Sequence, residues 1–133
     1  MKSRTPSNEF QRLVFATRNS LRGYSRVFRD EAAFRAQLVV LVLIIPLAAW
    51  LASGFLEFIL LVGIWILVLA GEMANSAIEA IVDRIGLEYH DLSGKAKDAG
   101  SALTLTLMLL AGLVWLAFLL DRFFPGLWPL SGL

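Results

Sequence analysis

Glu72, Glu79 and Asp83 fall in the stretch GEMANSAIEAIVD (71–83), directly after the apolar run LEFILLVGIWILVLA. Their spacing is i, i+7 and i+11. On a helix, where each residue advances 100°, that places all three within about 20° of one line. Asn75 and Ser76 flank the line, and Met73, Ala77, Ile78, Ile81, Val82 and Ile85 take the opposite face. Ionised groups are costly in a bilayer, so a row of acids there points to handling of ions, protons or substrate. A polar packing patch or a water-filled crevice is the plainer alternative; three acids and an amide on one face favour chemistry. Glu31, in RDEAAFR ahead of the first apolar run, is a further acid. Glu31 and Glu79 offer two carboxylates from different helices at one depth. Mg²⁺ suits such a pair, because it takes one or two carboxylates and completes its shell with water and substrate phosphates. Asp30 and Glu31 could instead serve a helix terminus through its dipole. Lys97 and Ser101, at i and i+4, share a face where another apolar run begins. A lysine beside the backbone donors of a helix N-terminus suits a phosphate. The segment GKAKD lacks P-loop spacing, and the lone His90 reads as a surface loop residue.

These groups need elements that hold them at a membrane surface. The chain has 133 residues, enough for a single domain (1–133), and 58% of them are hydrophobic, against roughly 45–50% in soluble domains. Its mean hydropathy is +0.71. There is no cysteine, which excludes disulfides and thiolate metal sites. The expected fold is an all-α membrane protein: an amphipathic surface helix over 7–30, membrane helices over 36–55, 57–84 and 97–120, and a loose tail over 121–133. Each apolar stretch approaches the length that crosses a core of about 30 Å. Pro46 is expected to kink the first span. From Phe58 to Gly71 the second covers about 21 Å at 1.5 Å per residue, so Glu72 falls in the inner part of the bilayer and Glu79 and Asp83 near its interface. Residues 84–102 read as a glycine-punctuated polar loop. In the N-terminal stretch Phe10, Leu13, Val14, Thr17, Leu21, Tyr24 and Phe28 form one stripe, opposite Arg12, Arg18, Arg22, Arg26 and Arg29. That pattern suits a helix lying in the membrane surface.

Lys and Arg placement orients the spans. Eight lie in residues 1–35, none between the first two spans, three from Arg84 to Lys97, and only Arg122 in the tail. The positive-inside rule then puts the N-terminus and the 84–97 segment in the cytoplasm and the C-terminus outside. Trp50 and Trp128 suit an outer aromatic belt. An Arg-rich polar stretch precedes the first apolar run, so no signal peptide is expected. Phe34 and Tyr89 are the aromatics beside the inner polar segments, and no nucleic-acid partner is expected.

Three blocks, EAAFR (31–35), EMANSAIEAIVDRIG (72–86) and EYHDLSGKAKDAGSA (88–102), closely resemble the prokaryotic diacylglycerol kinase family of small integral-membrane lipid kinases. The resemblance runs from about Phe10 to Asp121. It implies a homotrimeric bundle in the inner (cytoplasmic) membrane, with active sites shared between subunits and facing the cytoplasm. It implies ATP- and Mg²⁺-dependent phosphorylation of diacylglycerol to phosphatidic acid. Carried over by position, Glu72 resembles the catalytic base toward the lipid hydroxyl, and Glu31 and Glu79 resemble the Mg²⁺ ligands. Lys97 resembles the phosphate-contacting lysine, and Arg12 a second cation near the transferred group. Glu88, Tyr89, His90 and Asp98 resemble nucleotide contacts, Asn75 a polar neighbour in the active site, and Ser101 a residue toward the lipid. Asn19 stands where the family often has a tyrosine near the nucleotide, and Ala36-Gln37 where it often has Gln-Glu. Some family members phosphorylate undecaprenol, which these motifs do not separate from diacylglycerol. A small proton- or cation-coupled transporter is the alternative from another class; clustering of the acids toward one side, with Lys97 nearby, weighs against it.

Overall fold

The computed structural model describes residues 8–86 and 88–124, and among them every element is an α-helix: α1 (Glu9–Asp30), α2 (Ala32–Leu51), α3 (Phe55–Ile85) and α4 (Asp91–Phe123). Two compact units are present, residues 1–32 and 33–133. The expected tail beyond residue 124, with Trp128, lies outside the described residues.

The first unit is α1. Asn8 caps it: its side-chain oxygen accepts from the N–H groups of Phe10 (2.7 Å) and Gln11 (3.3 Å), two of the donors that a helix start leaves unpaired. At the other end the Glu31 N–H donates to the Val27 carbonyl at 2.8 Å. No residue of α1 is buried. Phe10, Leu13, Val14, Leu21, Tyr24 and Phe28 are all exposed, so the apolar stripe legible in the sequence is present as an uncovered face.

The second unit carries the three helices that are long and apolar enough to cross a membrane. α2 has 20 residues, about 30 Å at 1.5 Å per residue. α3 has 31 and α4 has 33, or about 46 and 50 Å, so both outrun a hydrocarbon core of about 30 Å. Pro46 lies inside α2 without ending it. α3 and α4 form the main packing pair, and they run antiparallel: Leu61 meets Trp115, Gly71 meets Thr104, and Asn75 meets Gly100. The closest approach uses two glycines. A Cβ on Gly71 would lie 2.6 Å from Leu107 Cδ1, and one on Gly100 would collide with Asn75 Oδ1. Small residues of this kind let backbones come together where lipid offers no hydrophobic drive for association.

A small core closes the end away from the acids. Ala48, Leu51 and Leu61 are buried there, with Phe58, Trp115 and Phe118 packed around them. Two tryptophans tie the helices through their indole N–H groups: Trp65 donates to the Gln37 carbonyl at 3.1 Å and Trp115 to the Leu61 carbonyl at 3.2 Å. Most other apolar side chains of the spans are exposed, among them Val42, Leu43, Leu60, Ile66, Leu109 and Leu113, as suits a surface facing lipid or further helices.

One sequence-based expectation is corrected. The segment 84–102 is not a loop throughout. α4 begins at Asp91, six residues before the expected start at 97, so Ser93, Gly94 and Ala96 are helical along with the expected Lys97, Asp98 and Ser101. His90 supplies the start: its Nδ1 accepts from the Leu92 N–H at 3.2 Å, doing what Ser or Asp usually does at that position. Asp121, Arg122 and Phe123, expected in the tail, are the last residues of α4.

Candidate active site

The polar groups gather where α3 and α4 leave the apolar stretch. On α3, Asn75 and Glu79 are one turn apart, and the Asn75 Nδ2 donates to Glu79 Oε1 at 2.9 Å. An amide and a carboxylate at i, i+4 face each other by helical geometry alone. One further turn along, Asp83 accepts from the ammonium of Lys97 on α4 at 2.6 Å. Glu72 is half-buried beside Gly71, near the point where α3 comes closest to α4.

These groups differ in their exposure to water. The Lys97 side chain is 41% exposed and the Asp83 side chain 50%, so their bond is open to solvent and to competing anions and adds little to stability. Asn75 Oδ1, by contrast, is buried and has no hydrogen-bond donor among the described residues, and Thr104 Oγ1 on the facing helix is in the same position. Leaving a buried polar atom unpaired costs about 1–3 kcal/mol. The Asn75 side chain therefore gives up one of its ends to hold the other on Glu79.

Beyond Asp83 the two helices open into a cleft of about 440 Å³, lined by Val82, Asp83, Gly86, Glu88, Tyr89, His90, Ser93, Gly94 and Lys97. Tyr89 is 87% exposed, and its ring stands free beside the cleft as a surface on which a flat heterocycle could stack. Glu88 and Asp98 are exposed as well. Of the residues expected from the sequence, Glu88, Tyr89, His90 and Lys97 line the cleft, and Glu79, Asp98 and Ser101 lie within one helical turn of its lining. Ser101 is exposed on α4, one turn beyond Lys97. Arg12 and Asn19, both exposed on α1, and Glu31, half-buried at its end, belong to the first unit and are described within it.

Hard-cation chemistry fits the donors. Glu79 commits one carboxylate oxygen to Asn75, which leaves the second for a cation, and carboxylate oxygen is the ligand that Mg²⁺ takes from proteins. Among the described residues no three His, Asp or Glu side chains form a closed cage; a metal that arrives with phosphate oxygens does not need one.

Sequence reasoning missed two kinds of residue. The bond from Lys97 to Asp83 crosses between helices and has no local signature. Gly71 and Gly100 passed as ordinary glycines. For Gly100 a signal existed: Ala96, Gly100 and Thr104 recur every four residues, the spacing of a small-residue seam between membrane helices.

Comparison with known sequences shows the family of the chain. The profile of the family "Prokaryotic diacylglycerol kinase" matches residues 18–119. A diacylglycerol kinase of Haemophilus influenzae is 43% identical over 103 residues, covering 77% of this chain and 87% of its own length. The Escherichia coli diacylglycerol kinase is 42% identical over 114 residues, covering 86% of this chain and 93% of its own length. That of Pseudomonas aeruginosa is 42% identical over 110 residues, covering 83% and 89%. The α3 acid row, the Lys97 segment, α2, α3 and all but the last four residues of α4 fall inside residues 18–119, and the chain belongs to the prokaryotic diacylglycerol kinase family.

Proposed function

We propose that this protein transfers the γ-phosphoryl group of ATP to the free hydroxyl of diacylglycerol at the cytoplasmic face of the inner membrane. One observation carries the reading. The acid row of α3 and Lys97 of α4 sit where two helices pass from an apolar span into a polar end, with an open cleft beyond. A lipid alcohol reaches that level from the bilayer, and a nucleotide reaches it from water.

Phosphoryl transfer asks the protein for alignment, charge neutralisation and a proton acceptor. Glu72, the acid deepest toward the span, takes the proton from the lipid hydroxyl as its oxygen bonds to the γ-phosphorus and the bond to the β-phosphate oxygen breaks. Phosphatidic acid and ADP result. Glu79, oriented by Asn75, and Glu31 would hold Mg²⁺, which supplies positive charge to the phosphate oxygens. Lys97 exchanges its bond to Asp83 for one to phosphate, an exchange of low cost because the pair is half exposed. Tyr89 offers its ring to the base; Glu88, His90 and Asp98 border the nucleotide, and Arg12 and Asn19 are further nucleotide contacts by family resemblance. Ser101 lies toward the lipid. The active unit is a homotrimer with sites shared between subunits, in keeping with the uncovered apolar faces of α2, α3 and α4.

The test is a competition assay in mixed micelles with γ-labelled ATP and equal amounts of diacylglycerol and undecaprenol. Label is expected in phosphatidic acid. Label confined to undecaprenyl phosphate would reassign the substrate, and label in neither lipid would end the kinase reading.

A further inference from the structure

Gly100 plays no part in the chemistry described so far, yet it faces the one side chain that orients a candidate metal ligand. We infer that Gly100 is a positioning residue: by lacking a side chain it leaves a slot in α4 for the Asn75 carboxamide, and the slot fixes the Glu79 carboxylate. The inference rests on the metal role proposed above for Glu79.

Three observations meet here. A Cβ built on Gly100 would strike Asn75 Oδ1, and would lie 3.3 Å from Ile78 Cδ1 and 3.4 Å from Asn75 Cγ. Asn75 Oδ1 is buried and receives no hydrogen bond among the described residues. The Nδ2 of the same amide donates to Glu79 Oε1 at 2.9 Å. The amide can only be this way round, because only its NH₂ end can donate to a carboxylate oxygen. Its oxygen must then point into α4, and only a glycine there has room for it. The slot sets the rotamer of Asn75, and Asn75 sets Glu79. Gly71 makes an equally close crossing, but the atom in its way is the tip of the flexible Leu107 side chain. A methyl on Gly71 is a packing problem. A methyl on Gly100 dislodges a polar group whose other end holds an active-site acid.

Two measurements test this on the full chain in detergent micelles. The first is binding of Mn²⁺, as a spin probe for Mg²⁺, with a non-hydrolysable ATP analogue. Gly100→Ala should weaken Mn²⁺ binding roughly tenfold or more, the scale usual when a metal ligand loses the group that orients it. Asn75→Ala should do the same, and the double variant Gly100→Ala/Asn75→Ala should be no weaker than Asn75→Ala alone, since the slot then has nothing to hold. The double variant also removes the clash, so it keeps the test open should Gly100→Ala alone fail to fold. The second measurement is the Asn75 side-chain ¹⁵N signal, assigned by its loss in Asn75→Ala. It should move in Glu79→Gln, and in Gly100→Ala it should shift toward the position of a solvent-exposed amide.

Unchanged Mn²⁺ affinity and an unmoved Asn75 signal in Gly100→Ala would overturn the inference. A double variant several-fold weaker than Asn75→Ala would overturn it too, because Gly100 would then act through helix packing. Should Glu79→Gln leave Mn²⁺ binding intact while Gly100→Ala still shifts the Asn75 signal, the slot stands and the metal role of Glu79 falls.

Discussion

Among the residues, depth separates roles that composition cannot. In the mechanism proposed above, Glu72, half-buried beside Gly71, takes the proton, and Glu79 holds a cation. Glu72→Gln should therefore lower kcat by roughly 10²- to 10⁴-fold, the usual contribution of a general base, while binding of a non-hydrolysable ATP analogue stays at the wild-type level. Equilibrium binding beside steady-state kinetics checks both halves. Lys97→Ala should raise the KM for ATP about tenfold, the equivalent of about 1.4 kcal/mol. Its melting temperature should not move, because the bond to Asp83 that it loses is open to water. Much of this was legible in the sequence. The i, i+7, i+11 acids and the i, i+4 amide follow from helical periodicity. The pairing of Lys97 with Asp83 and the slot at Gly100 were not, because both depend on the register between two helices, which no local pattern carries.

At the scale of the elements, the apolar runs announced the three spans, since a bilayer demands their length. The start of α4 was hidden. Asp91 to Ala96 is rich in polar and glycine residues and has no apolar period, so it reads as a loop; a histidine cap and packing against α3 make it helix. That extra turn and a half matters, because it puts Lys97 on a rigid rod instead of a flexible tether. The glycines on these helices should not behave alike. At Gly63 and Gly112 an added methyl would meet nothing within 4 Å, whereas at Gly71 it would meet Leu107 at 2.6 Å. Gly71→Ala should cost no more than about 1 kcal/mol, because only the tip of the flexible Leu107 side chain must move aside. Gly63→Ala should be neutral or stabilising by up to about 1 kcal/mol, because alanine favours the helix. Reversible unfolding in mixed detergent micelles would rank the two.

At the scale of the molecule, the three-helix unit has a polar end with the cleft and, at the opposite end, a short turn that the proposed orientation puts outside. The link Ala52–Gly54 between α2 and α3 is only three residues, tied by the Ser53 N–H to Glu57 Oε2 at 2.7 Å. Since the natural chain holds no cysteine, single replacements report sidedness without background. A cysteine replacing Ser53 should react with an impermeant maleimide in intact cells; one replacing Ser93 should react only once the membrane is opened. Labelling of the Ser93 replacement but not of the Ser53 replacement in intact cells would reverse the proposed orientation. The antiparallel pairing of α3 with α4 also bears on how the enzyme is made. Its acids are translated first and its lysine and glycine slot about twenty residues later, so a chain released from the ribosome before α4 has threaded into the bilayer carries the carboxylates without their counterparts. Assembly of the polar site is thus deferred until α4 has been made.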